Sequence, residues 1–194
     1  MGFAITWFAF RASESDALLR ELNLSPTGEA DDGPDSLIAT AKLKNGWQVL
    51  WYNKYDCPFL DESVLKRLSA RCEIIKCLVE EHVMASSSEY WSGGQRSWSL
   101  SHEGENGPKG LSVEGEPPPC FSEIRRKIED TQAAEGGDAA EVDYIFEIPL
   151  LVAKALAGFK HDERCDLMVD PAFQVLSRIE APRPGFFSRL FGKK

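Results

Sequence analysis

Residues 3–10, FAITWFAF, are apolar almost throughout and rich in aromatic and β-branched types. Such a run predicts a central strand buried on both faces. Ser13 can cap the segment that follows, with Asp16 three residues on, and Ala17, Leu18, Leu19 and Leu22 give a short amphipathic helix that ends before Pro26. Residues 25–36, SPTGEADDGPDS, read as a polar loop. LIATAKLKNGWQVLWYNK then offers two strands about Asn45-Gly46, because Asn-Gly supplies the positive φ that a tight hairpin turn needs. The second of these, with Trp47, Val49 and Trp51, has few polar gaps and is expected to be buried on both faces.

Asp61 is placed to cap a helix through DESVLKRLSARC. EIIKCLVEEHVM follows as a strand, and the chain runs on through SSSEYW to Ser92-Gly93-Gly94-Gln95. RSWSLSHE is the cleanest alternation in the chain, with Trp98, Leu100 and His102 against Ser97, Ser99 and Ser101. A strand at 110–116 completes a meander, and Pro117, Pro118 and Pro119 end it. A helix is expected from about Ser122 to Ala134, with Ile124 and Ile128 inward. Residues 143–159 read as a short extended piece and then a helix, with Pro149 at its first position and Gly158 at its C-terminal cap. Residues 160–181 carry no clear pattern.

The order β α ββ α βββ αα, with hairpins as the main connections, predicts an α+β fold. Its sheet is mostly antiparallel, centred on the Gly93-Gly94 hairpin, with three to five helices packed on it. The expected organisation is one domain over 1–180, then a Pro/Gly linker and short basic tail over 181–194.

The chain's 194 residues are enough for a core that needs no staples. The five cysteines (Cys57, Cys72, Cys77, Cys120 and Cys165) include no Cys-x-x-Cys pair. The N-terminus lacks the basic start and small-residue cleavage site of a signal peptide, and no apolar run approaches the ~20 residues of a membrane helix. Reduced thiols and a cytoplasmic location are therefore expected.

The formal net charge is −9, and four of the 22 basic residues lie in the last twelve. The preceding residues thus hold 18 basic against 31 acidic groups, a formal −13. That sign argues against nucleic acid as a partner and favours a basic protein, although acidity also serves plain solubility.

Two constellations have chemical potential. On the hairpin, His82 and His102 with Glu81 and Glu103 could do acid–base work or help a metal. If Gly93-Gly94 is a simple two-residue turn, paired positions sum to 187, so His102 lies opposite Ala85 and His82 opposite Glu105. The histidines then face opposite sides, and Trp91, Trp98, Leu100 and His102 share the core face. A bulge would overturn that register. In the second constellation, on a helix, His161 and Cys165 would share a face with Asp162 and Asp166 beside them, and the Cys–His pair could be nucleophilic or, with Asp166, supply metal ligands. The plainer reading is a solvated helix end. No phosphate-loop, dinucleotide, nucleophile-elbow or zinc-protease motif occurs, and no cofactor is expected.

Other features favour binding. From Ile128 to Ala153 there is no Lys or Arg, yet the segment carries seven acids, including Glu135, Asp138, Glu141 and Asp143. Trp91, beside the turn, is expected to be an exposed aromatic anchor. In the tail, Phe186, Phe187, Leu190 and Phe191 fall on one helical face among basic residues. They could fold back, dock to a partner or touch a membrane surface, the only membrane contact expected.

GFAITWFAFR, ALLRELNLSPTGE, VEEHVM and DYIFEIP together resemble a family of uncharacterised bacterial proteins, over residues 1 to about 162. The resemblance implies a bacterial source and carries over no activity or functional residue. The expected function is therefore a non-enzymatic cytoplasmic binding protein for a more basic partner, such as a toxin-neutralising immunity protein. The alternatives are a metal-assisted or acid–base enzyme at His82/His102 and a peripheral membrane adaptor held by the tail.

Overall fold

The N-terminal aromatic run forms β1 (Ala4–Arg11), and Trp7, Phe8, Ala9 and Phe10 are wholly buried. The computed structural model describes residues 2–11, 15–33 and 35–179. Among these, β1 is the middle strand of a nine-stranded sheet in which every pairing is antiparallel. The others are β2 (Leu24–Asp31), β3 (Ile38–Lys42), β4 (Gln48–Tyr52), β5 (Glu73–Glu80), β6 (Ala85–Ser92), β7 (Gln95–His102), β8 (Leu111–Gly115) and β9 (Phe173–Arg178). Across the sheet they run β2-β9-β3-β4-β1-β5-β6-β7-β8. Four α-helices accompany them: α1 (Ser15–Glu21), α2 (Glu62–Ser69), α3 (Cys120–Ala134) and α4 (Glu147–Ala157). The fold is α+β, as expected, and the hairpin about Asn45-Gly46 forms with a three-residue loop, closed by Leu43 N–H donating to Trp47 O at 2.8 Å. The tail residues Phe186, Phe187, Leu190 and Phe191, and the Ser13 cap, lie outside the described residues.

Alternation along the strands makes two cores. Ile5, Trp7 and Ala9 point with Trp51, Cys77 and Val79 towards Leu150, Ala153 and Ala157 of α4. Phe8 and Phe10 point the other way, with Leu50, Ile74 and Trp91, towards Leu18, Leu19 and Leu22 of α1 and Leu65 and Leu68 of α2. α3 extends the α4 layer, where Phe121 and Ile124 pack near Trp98, Leu100 and Val152. Local signals behave as read. The Asp61 carboxylate accepts from Val64 N–H at 2.9 Å and opens α2, and Gly158 closes α4 at φ +79°.

Five expectations need correction. Residues 25–36 are mostly the edge strand β2, not a loop. It pairs only with β9 and is largely exposed, so its Pro and polar residues meet no inner-strand constraint. The patternless segment after 160 contains β9, which inserts between β2 and β3. The Gly93-Gly94 hairpin, β6–β7, is not the centre of the sheet: its strands are seventh and eighth of nine, and β1 takes the middle. The piece before α4 is a 3-10 turn (Tyr144–Phe146), and Pro149 falls at the helix's third residue. Finally, EIIKCLVEEHVM is not one strand: β5 ends at Glu80 and a four-residue turn, Glu81–Met84, leads into β6, with Glu80 opposite Ala85.

The Gly93-Gly94 turn has two central residues at φ 60° and 76°, so Ser92 faces Gln95 and Trp91 faces Arg96 as expected. A bulge at Ser97 then shifts the register. Tyr90 faces Trp98, and His102 faces Ser86 rather than Ala85. Trp98, Leu100 and His102 therefore share the α4 side of the sheet, while Trp91 joins Ile74 on the opposite side. Gly115 allows the close approach at the bulge, since a β-carbon there would collide with the Ser97 carbonyl oxygen.

Candidate functional site

The hairpin residues are dispersed. His82 sits in the Glu81–Met84 turn, exposed, with Nδ1 2.7 Å from Glu80 Oε1. It faces solvent rather than Glu105, which belongs to the 3-10 segment Gly104–Lys109. His102 is buried, with Nε2 2.9 Å from Asp143 Oδ2. Glu103 accepts from Asn106 Nδ2 at 3.2 Å. Glu81 turns to a third histidine, His161. Among the described residues, no three His, Cys, Asp or Glu side chains are grouped so as to hold a metal.

His161, Cys165 and Asp166 do not lie on a helix, because the left-handed Gly158 ends α4 and the chain turns irregularly through 159–172. Instead of forming a solvated helix end, His161 has a side chain only 1% exposed. Cys165 Sγ donates to Gly158 O at 3.4 Å, and exposed Asp166 lies 3.4 Å from Arg164.

The acid-only stretch is structured. Buried Gln132 donates Nε2–H to Gly137 O at 2.8 Å and accepts from Tyr144 N–H at 2.8 Å, stapling the end of α3 to the start of the next turn. Glu135 and Glu141 are exposed, while Asp138 lies 2.5 Å from Lys109 Nζ. Asp143 is committed inward: one oxygen faces His102, and the other accepts from Ile145 N–H at 3.1 Å. Trp91 is 4% exposed and its indole donates to Glu89, so the expected surface anchor is a core residue. Its pairing with Ile74 on β5 explains this, because it puts Trp91 on the side of the sheet covered by α1 and α2.

The Glu81–Met84 turn and the 3-10 turn before α4 face each other across a cleft of about 620 Å³. Three carboxylates, Glu81, Asp143 and Glu147, line it together with the exposed imidazole of His82, and Tyr144, Phe146 and Met84 form the apolar wall. Val83 and Val142 stand exposed on the flanking turns, at 61% and 49%. Each carboxylate is held from behind. Glu81 Oε2 accepts Phe3 N–H at 2.8 Å, and its Oε1 lies 3.2 Å from His161 Nε2. Glu147 Oε2 lies 3.1 Å from Lys160 Nζ, which also donates to Asp162 at 2.6 and 2.8 Å. Burial opposes the Lys160 charge, but Asp162 and Glu147 outweigh it and raise its pKa above the ordinary lysine value. Burial is likewise the largest single influence on Asp162 and opposes its charge, but the Lys160 hydrogen bond, the attraction of His161 and Lys160 and a backbone hydrogen bond together outweigh it, lowering that pKa. Four carboxylates against one ammonium leave the cluster acidic while the histidines are neutral.

Sequence reasoning placed Asp143 and Glu147 among surface acids and missed Lys160 and Glu81 as their neighbours. Its only usable signal was the Gly158 helix stop, which throws Lys160 and His161 back across the sheet end.

Among the described residues no helix is long and apolar enough to cross a membrane. Comparison with protein-family models, curated proteins and solved structures finds no match.

Proposed function

We propose that this protein is a non-enzymatic cytoplasmic binding protein whose partner is more basic than itself, and that the acidic cleft receives a Lys or Arg side chain of that partner. The observation that carries this reading is the convergence of Glu81, Asp143 and Glu147 on one cleft flanked by exposed Val83 and Val142. Carboxylates fixed before binding cost little to order, and apolar residues beside them supply the desolvated contact that surface charge alone does not. Exposed Glu135 and Glu141 would act earlier, steering the partner by long-range attraction. Occlusion of a basic toxin, as immunity proteins achieve it, is the concrete form of the proposal.

The test is to isolate the partner from the native host and measure its association with full-length protein at two ionic strengths. The E135K/E141K variant is expected to slow association roughly tenfold at low salt and less at high salt. V83D and V142D are expected to speed dissociation. An on-rate indifferent to both charge reversal and salt would sink the electrostatic reading.

A further inference from the structure

On the other side of Glu81 lies a second, larger cavity of about 710 Å³, within the range of small-molecule sites. Its apolar wall is aromatic. Phe159 and Phe173 meet with ring centres 6.2 Å apart, and Trp51 meets Phe173 at 6.3 Å, both near edge-on. The rim carries both signs of charge, with Lys44 and Arg164 beside Asp32, Glu163 and Asp166. Lys44 and Arg164 are both engaged with Asp166.

His161 lines this cavity with one ring nitrogen unpartnered. Glu81 is an acceptor, so the imidazole nitrogen beside it, Nε2, carries the hydrogen. In the neutral ring, Nδ1 is then a lone-pair acceptor. Among the described residues it has no hydrogen-bond partner, although the side chain is 1% exposed. The nearest charged atom, Asp162 Oδ1, is 3.8 Å away, is itself an acceptor and is taken by Lys160. The edge-on Phe3 ring, 5.0 Å off, offers no polar group. A buried acceptor without a donor costs free energy, so a ligand that supplies one gains selectively. Trp51 Nε1 is also unpaired and buried, and away from the cavity Trp7, Trp47 and His102 Nδ1 share that trait; the imidazole of His161 carries the argument because it is the unpartnered acceptor on the cavity wall.

We infer that this cavity is a binding site for a small, flat, uncharged aromatic molecule bearing an N–H or O–H donor for His161 Nδ1. The aromatic wall selects the ring, the mixed rim favours no net charge, and Glu81 fixes the tautomer that makes Nδ1 an acceptor. The site is independent of the partner-binding reading, since it needs no partner and shares no lining residue with the acidic cleft; Glu81 lines the cleft alone and reaches the cavity only through His161.

The probes are benzamide, which donates and accepts, and N,N-dimethylbenzamide, which only accepts. Each is titrated into the full chain while the tryptophan indole and histidine ring signals are followed by NMR. Benzamide is expected to shift the Trp51 indole and His161 ring signals saturably, and the dimethyl amide to bind ~10-fold more weakly. H161F is expected to remove that difference, and the wild-type comparison stands if H161F does not fold. The inference is overturned by no saturable shift, by shifts confined to other tryptophans, or by equal affinity for the two amides.

Discussion

Two acid-rich regions of this molecule have similar composition and opposite physical character. Along and after α3, acids find partners close by and in solvent. Glu129 pairs with Arg125 and Asp130 with Arg126, one helical turn back, and Asp138 meets Lys109 with both side chains mostly exposed. The two pairs within α3 stabilise by about 0.3–0.5 kcal/mol each. Around the start of α4, Glu81, Glu147 and Asp162 gather on Lys160 and His161, which are almost completely buried. Glu81 and His161 are 80 residues apart in the chain. The difference teaches that acid density marks surface charge, whereas burial and long-range partners decide which acids are held in place and so can form a site.

That contrast can be broken by removing its members in turn. K160M should cost most, about 3 kcal/mol in urea unfolding, at the low end for a broken buried pair because Glu147 and Asp162 stay partly hydrated. Q132A should cost about 2 kcal/mol, since it strips the staple from Tyr144 N–H and Gly137 O. D143N should cost about 1 kcal/mol by weakening the charge-assisted contact with His102. E129Q/D130Q should cost about 0.5 kcal/mol or less. If that double variant destabilised as much as K160M, the two regions would not differ as described.

A pH series sharpens the same comparison. The folded pKa of Asp162 is lowered from its ordinary 3.8, so its contribution is present above that value and is lost as pH falls through the folded pKa. Lys160 is raised from 10.5, so its contribution is present below 10.5 and is lost as pH rises through its folded value. The stability gap between wild type and D162N should therefore be flat near neutrality and narrow below pH 3.8. A gap unchanged down to pH 2 would mean the Lys160–Asp162 contact contributes nothing.

Much of the fold was legible because its signals are local. FAITWFAF has no polar face and so becomes β1, and Asp61 and Gly158 bound their helices through their own backbone chemistry. The site was less legible. Asp143 and Glu147 stood out only as acids in a run without cations, and nothing nearby in sequence marks Lys160 as their neighbour. His161 was noticed for its spacing to Cys165 on a helix that does not form. His82 and His102 are apart, as a simple two-residue turn predicts, but for a different reason: His82 is in a turn and His102 is turned inward at a shifted register.

The amino-acid sequence by itself determined the α+β class, the central strand, the turns at Asn45-Gly46 and Gly93-Gly94, the start of α2 and the end of α4. Those depend on side-chain pattern and backbone preference within a few residues. Only the tertiary structure decided the bulge at Ser97, the insertion of β9 between β2 and β3, and the meeting of Glu81, Glu147, Lys160 and His161. Each of these depends on which distant segment fills a given edge or cavity. That choice is set by packing across the whole sheet, so no short stretch of sequence records it.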